Sequence, residues 1–123
     1  MDRAEVLSLL GGAVRSFKKT ADAKVPTDAF DEHGIHVHYD DTGHAEAIEV
    51  ASPATPIFQR RVLLGKPFEE LRHWVEQVDP KVEVDDAGLT APSLGIGLYA
   101  PSARASPSEL IEGVIVFKKG YYD

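Results

Sequence analysis

The sequence predicts an α+β fold of two layers, in which two helices pack on one face of an antiparallel sheet. Two segments repeat apolar residues every three or four positions, which is typical of amphipathic helices. Other segments alternate apolar and polar residues or are short and wholly apolar, which is typical of strands. A shift of 61 residues, half of the 123-residue chain, aligns these patterns with each other.

The alignment keeps one register from helix to strand. The aligned residues are Leu7 with Phe68, Leu10 with Leu71, Val14 with Val75, Phe17 with Val78, Gly34 with Gly95, Ile35 with Ile96 and Val37 with Leu98. We therefore expect one α+β domain, residues 1–123, built from two pseudo-repeats, 1–61 and 62–123. Each would contribute a helix and an antiparallel meander (α-β-β-β twice), and the two units would share one sheet. A chance alignment of two amphipathic helices is the alternative.

In the first half, the sequence predicts one helix and a β-hairpin. The helical stripe comprises Val6, Leu7, Leu10, Val14 and Phe17. Gly11 and Gly12 interrupt it at a cost of about 1 kcal/mol each relative to alanine, which we interpret as close packing against the sheet. Residues 35–39 alternate as a strand, residues 40–43 favour a turn, and residues 45–51 form the returning strand.

In the second half, the sequence predicts a helix and several short strands. The expected elements are a strand at 57–64, a helix from Pro67 to Asp79, strands at 82–84 and 95–99, a Pro- and Ser-rich loop at 101–108 and a last strand at 114–117. The helical stripe comprises Phe68, Leu71, Val75 and Val78. The last strand is wholly apolar, which predicts a central strand covered on both faces.

The composition excludes several classes of function. The chain has no cysteine, which excludes a disulfide framework, a thiolate metal site and a cysteine nucleophile. Its 13 basic and 20 acidic residues give a net charge of −7 without a basic cluster, so we expect neither nucleic-acid nor membrane binding. The sequence has no nucleophile elbow and no phosphate-binding glycine loop. It shows no signal-peptide core and no membrane-length apolar run, so we expect a cytoplasmic location.

The strongest local feature is an acidic, histidine-rich hairpin. Between positions 28 and 49 there are seven acidic residues, four of the five histidines and no lysine or arginine. Such a surface suits a basic protein partner, because complementary potentials speed association. The predicted binding residues are Asp31, Glu32, His36, His38, Asp40, Asp41 and, on the second helix, Trp74. Flanking core is the favoured alternative for Trp74, and the loop at 101–108 is an alternative binding surface.

The same hairpin offers a candidate metal site. His36 and His38 point to one face of a strand, about 7 Å apart along it. A carboxylate from the returning strand, Glu49 or alternatively Glu46, could complete a divalent-metal site with them. This pattern gives the rival function, a small metal-dependent enzyme that uses a His-x-His plus Glu site. The simpler interpretation is a solvated polar strand face with no cofactor.

Two stretches resemble small bacterial proteins of the immunity type, which act in toxin systems. They are Leu63-Leu64-Gly65-Lys66-Pro67 before the second helix and Val114-Ile115-Val116-Phe117-Lys118-Lys119-Gly120-Tyr121-Tyr122 near the end. The resemblance implies a small acidic α+β binder rather than an enzyme, and it transfers no functional residue. We therefore expect a non-enzymatic protein-binding module of the immunity or inhibitor type. An edge strand or Trp74 could also support a homodimer.

Overall fold

One antiparallel sheet of eight strands dominates the structure, a computed structural model that describes residues 1–11, 14–18, 20–101, 109–118 and 121. The helices are α1 (Arg3–Leu10) and α2 (Phe68–Val78). The strands are β1 (Arg15–Phe17), β2 (Thr27–Phe30), β3 (Ile35–Tyr39), β4 (Ala45–Ala51), β5 (Ile57–Phe58), β6 (Arg61–Val62), β7 (Glu83–Asp85), β8 (Gly88–Ala91), β9 (Ile96–Tyr99) and β10 (Gly113–Phe117). Neither helix of the described part is long and apolar enough to cross a membrane.

The eight strands follow the order β1-β2-β3-β4-β10-β9-β8-β7, and β5 pairs with β6 as a separate hairpin. Each half of the chain supplies four strands, each paired with the next along the chain. The two sets join where β4 and β10 pair in the centre of the sheet. All neighbouring strands are antiparallel. β1 and β7 are therefore the edges of the sheet.

The register between β2 and β3 repeats between β8 and β9 at the 61-residue offset. The equivalent pairs are Asp28 with Val37 between β2 and β3, and Leu89 with Leu98 between β8 and β9. In the centre of the sheet, Glu49 of β4 pairs with Ile115 of β10. When the two halves are superposed, Glu49 corresponds to Ile115, and the pair of Val50 with Val114 corresponds to the pair of Val116 with Ile48. An approximate two-fold axis therefore passes through the pair of Glu49 with Ile115. The division of the chain into two pseudo-repeats stays a prediction.

The predicted two-layer fold of two α-β-β-β units is wrong. The structure is mostly one large sheet with four strands from each half, together with a small second sheet and two short helices. The sequence pattern did not reveal β2, because all four of its residues are buried and no alternation marks it. The predicted strand at 57–64 is instead the β5–β6 hairpin. Within the predicted loop at 101–108, residues 102–108 lie outside the described residues.

The first helix is shorter than its apolar stripe predicts. It ends at Leu10, because Gly11 adopts a φ of 58° and its N–H donates to the carbonyl of Leu7. A Cβ at Gly11 would meet no atom within 4 Å, so close packing does not explain this glycine. Val14 and Phe17 therefore leave the helix, and Phe17 lies in the edge strand β1.

Two hydrophobic clusters cover one side of the sheet, which we call the helix face. The first cluster joins Val6 of α1 to Phe30, Val37 and Tyr39. The second joins Phe68, Leu71 and Val75 of α2 to Leu89, Ile96, Leu98 and Val114. The cross-strand pairs put both clusters on the same face, and alternation sends the intervening residues to the opposite face. β10 is central as predicted, but Val116 is 44% exposed, so β10 is not covered on both faces.

A buried carboxylate ties α1 to the sheet. Asp28 of β2 is fully buried and accepts hydrogen bonds from Arg3, Ser16 and Tyr39 at 2.7–3.0 Å. Burial alone raises the pKa of the Asp28 carboxyl, but these three donors outweigh it and hold the pKa below its ordinary value. The charged form of Asp28 therefore stabilises the fold.

A second buried carboxylate fixes the end of α2. Asp79 follows the last helical residue, and its side chain accepts backbone N–H bonds from Lys81, Ser93 and Leu94 at 2.9–3.2 Å. The last two donors belong to the connection between β8 and β9. The single side chain thus stops the helix and joins it to the sheet beneath.

We predict that Asp28→Asn lowers the free energy of unfolding by about 2–3 kcal/mol at pH 7, because it removes the charge that three donors solvate. Since the folded pKa of Asp28 is lowered, its stabilisation is present above the unfolded pKa of about 3.9 and is lost as pH falls through the folded value. Urea unfolding of both proteins between pH 7 and pH 2 measures this. The difference should shrink in acid.

The matched control is Asp41→Asn, at an exposed position. It should change the unfolding free energy by less than about 0.5 kcal/mol. A difference between wild type and Asp28→Asn that stays constant down to pH 2 would contradict the assigned role of the Asp28 charge.

Candidate functional site: an acidic groove on the sheet

The opposite face of the sheet carries a groove of about 670 Å³. Its lining residues come from six neighbouring strands, from β3 through β4, β10, β9 and β8 to Asp85 of β7. Both halves of the chain therefore line it, and their central pairing forms its middle. We call this feature the acidic groove, because carboxylates surround a floor of small and apolar residues.

The strand registers align two rows of residues along the acidic groove. The first row is Thr90, Gly97, Ile115, Glu49 and His36. The second row is Gly88, Tyr99, Gly113 and Ala51. Every member of both rows lines the groove. Because the rows run across strands distant in sequence, no local motif reveals them.

Two glycines shape the floor of the groove. A Cβ at Gly97 would lie 2.8 Å from Cγ2 of Ile115, and a Cβ at Gly113 would lie 3.5 Å from Cβ of Tyr99. The side chains of Ile115 and Tyr99 therefore lie close to the glycine backbones of the neighbouring strands. A larger residue at Gly97 would displace the side chain of Ile115.

The two halves of the chain differ sharply on this face. At the 61-residue offset, Gly97 stands where the first half has His36, and Gly88 stands where it has Thr27. At these two positions the first half has polar side chains, whereas the second half has only glycine. The groove therefore extends well beyond the hairpin that the sequence analysis singled out.

Four carboxylates line the groove, two from each half of the chain. They are Asp31, Glu49, Asp85 and Glu112. None of the described residues that line the groove is a lysine or an arginine. Arg15 lies just outside, with its Nε 3.2 Å from Oδ2 of Asp31, and its hydrogen bonds hold the pKa of that carboxyl below its ordinary value. The groove therefore favours a cationic ligand.

The two predicted metal-ligating histidines share the opposite face, but each contacts a different carboxylate. Nε2 of His38 lies 2.6 Å from Oε1 of Glu49, and its Nδ1 lies 2.8 Å from Oγ1 of Thr27. Nε2 of His36 lies 3.6 Å from Oδ1 of Asp31. No group of three or more histidines, aspartates or glutamates among the described residues is placed to hold a metal ion. The predicted set of His36, His38 and Glu49 is thus divided between two contacts.

The other predicted binding residues are scattered over the molecule. Glu32 is exposed in the turn between β2 and β3, beside Asp31. Asp40 and Asp41 lie in the turn at the far end of β3. Asp40 accepts bonds from Thr42, His44 and Lys118, and these donors hold its pKa far below the ordinary value.

Trp74 lies on α2, away from the groove. It packs against the cluster beneath α2, with its ring centroid 6.1 Å from that of Phe58. The guanidinium of Arg61 covers the indole at 4.6 Å. The side chain is therefore half-buried flanking core, which was one of its two predicted roles.

Sequence reasoning missed the second half of the site, namely Asp85, Gly88, Gly97, Tyr99, Glu112 and Gly113. One signal was available. Glycine inside a strand pattern indicates a bulge or an open surface, and Gly97 stands inside the predicted strand at 95–99. The partners of Gly97 across the sheet, however, depend on a register that local patterns do not give.

Comparisons with known proteins yield no relative of this chain. No protein-family model, curated protein or solved structure matches it. Any account of function therefore depends on the chemistry of the site itself.

We predict that Zn²⁺ does not stabilise the protein through His36 and His38. A site filled at 100 times its Kd would add about 2.7 kcal/mol to the unfolding free energy. Thermal melting with and without Zn²⁺, for wild type and His36→Ala, measures this. Neither protein should show a Zn²⁺-dependent rise in Tm. A rise in wild type that His36→Ala abolishes would revive the metal-dependent enzyme.

Proposed function

We propose that this chain is a non-enzymatic protein-binding module whose acidic groove docks a basic segment of a partner protein. One observation carries the proposal: four carboxylates line a groove of about 670 Å³, and the described lining residues include no lysine or arginine. A module of the immunity or inhibitor type would use such a surface to cover a basic site on its target.

The size of the groove supports a peptide-like occupant. Six neighbouring strands contribute to its lining, and their spacing of about 4.8 Å gives a span of roughly 24 Å. An extended segment of about seven residues covers this distance. The carboxylates of Asp31 and Glu49 come from one half of the chain and those of Asp85 and Glu112 from the other. Lysine or arginine residues spaced along one extended segment would therefore meet negative charge from both halves.

The charge of the whole molecule supports the same proposal. The net charge is −7, so long-range attraction would bring a basic partner to the surface and the groove would orient it. Such attraction weakens with salt, because the Debye length falls from about 10 Å at 0.1 M to 3 Å at 1 M.

The test uses a hexa-lysine peptide and isothermal titration calorimetry. We predict that Glu49→Gln combined with Glu112→Gln weakens binding about tenfold, equivalent to about 1.4 kcal/mol for two lost charge contacts. Glutamine at position 49 keeps an acceptor for His38, so the hydrogen bond seen at 2.6 Å can persist. Affinity should also fall as salt rises from 50 to 300 mM.

The matched control is Glu69→Gln combined with Glu70→Gln. These residues are exposed in the first turn of α2, which packs on the helix face, and the change removes the same number of charges. The control should bind within about twofold of wild type. Equal weakening of both double variants would mean that net charge alone attracts the peptide, and it would overturn the groove as the docking site.

A further inference from the structure

One end of the acidic groove contains a gap between an aromatic ring and a carboxylate. The cross-strand pairs of Asp85 with Gly88 and of Gly88 with Tyr99 put these three residues in one row. Gly88 separates the other two and has no side chain. At the spacing of neighbouring strands, the Cα atoms of Asp85 and Tyr99 lie roughly 10 Å apart. The space above Gly88 thus lies between the strand position of a carboxylate and that of a phenol.

The backbone itself keeps this gap open. Gly88 adopts a φ of 147°, and a Cβ there would lie 1.8 Å from the carbonyl oxygen of Leu98. No other residue fits this position, so no side chain can fill the gap. Asp85 is held in place, because its Oδ1 accepts the N–H of Ala87 at 2.8 Å.

Tyr99 presents its ring to the groove. Its side chain is 53% exposed, and the residues paired with it on both sides, Gly88 and Gly113, are glycines. The backbone N–H of Glu112 donates to the carbonyl of Tyr99 at 2.8 Å, which brings a second acidic residue next to the ring. An aromatic face beside two acidic residues matches a cation that is flat and can form several hydrogen bonds.

We infer that the gap between Tyr99 and Asp85 recognises an arginine side chain of the partner. This inference rests on the proposed function and specifies the cation that the groove selects. A guanidinium stacks on an aromatic ring and binds a carboxylate with two parallel hydrogen bonds, whereas an ammonium is a compact, strongly hydrated charge. A guanidinium already stacks on an aromatic ring elsewhere in the chain, since Cζ of Arg61 lies 4.6 Å from the centre of the Trp74 ring.

Tyr99 could instead stabilise the sheet, because an aromatic side chain can cover glycines on neighbouring strands. A purely structural tyrosine would affect stability without distinguishing arginine from lysine. The decisive quantity is therefore the ratio of the Kd for hexa-lysine to the Kd for hexa-arginine. This ratio cancels changes in net charge and general losses of affinity.

The experiment measures that ratio by calorimetry for wild type, Tyr99→Leu, Tyr99→Phe and Tyr121→Leu. Tyr121 stacks on Phe117 outside the groove, so its replacement is the same chemical change elsewhere. We expect wild type to prefer hexa-arginine about fivefold, a ratio that Tyr99→Phe and Tyr121→Leu keep. Tyr99→Leu should reduce the ratio to about one. Melting curves of each variant are the control that it is folded.

The outcomes separate this inference from the proposed function. If hexa-lysine binding depends on Glu49 and Glu112 but Tyr99→Leu leaves the ratio unchanged, arginine recognition at Tyr99 is overturned and the acidic docking groove stands. An equal loss of the ratio in Tyr121→Leu also overturns it. If neither peptide binds wild type, both ideas fail together.

Discussion

The pairing of β4 with β10 is the contact on which the rest of the structure depends. Five residue pairs join the two four-stranded units into one sheet, with Glu49 opposite Ile115 at the centre. Without it, each half would expose a long unpaired strand, which promotes aggregation. Because β4 and β10 pair, the neighbouring strands β3, β4, β10, β9 and β8 form a continuous surface. The acidic groove exists only because this register puts Asp31 and Glu49 on the same face as Tyr99 and Glu112.

Both helices pack on the other face, where the central pair Ile48 and Val116 stays partly exposed. Each helix is fixed to the sheet by a buried carboxylate. Asp28 accepts a hydrogen bond from the guanidinium of Arg3 in α1. Asp79, at the end of α2, accepts hydrogen bonds from backbone N–H groups in the connection between β8 and β9. In the described part of the chain, every buried side-chain polar atom has a hydrogen-bond partner, and these contacts contribute to that result. With the helices fixed on one side, the opposite side can remain concave and available for binding.

Local patterns in the sequence predicted what local physics decides. The 3.6-residue stripe of α2 and the alternation of β3 depend on near neighbours, so both elements lie where predicted. The end of α1 was missed because one glycine in a left-handed conformation outweighs an apolar stripe that continues past it. β2 was missed because burial of all its residues removes alternation. In the site, His36 and Glu49 were predicted to share a face, whereas Tyr99 depends on pairings between distant strands.

We propose the acidic groove as the binding surface of the protein. Amide chemical-shift mapping by NMR during titration with hexa-arginine tests it most directly, because glycine amides report from the groove floor. We predict the largest shifts at Gly88, Gly97, Gly113 and Tyr99, with little change along α2. Largest shifts on α2, or at the turn that holds Asp40 and Asp41, would contradict it.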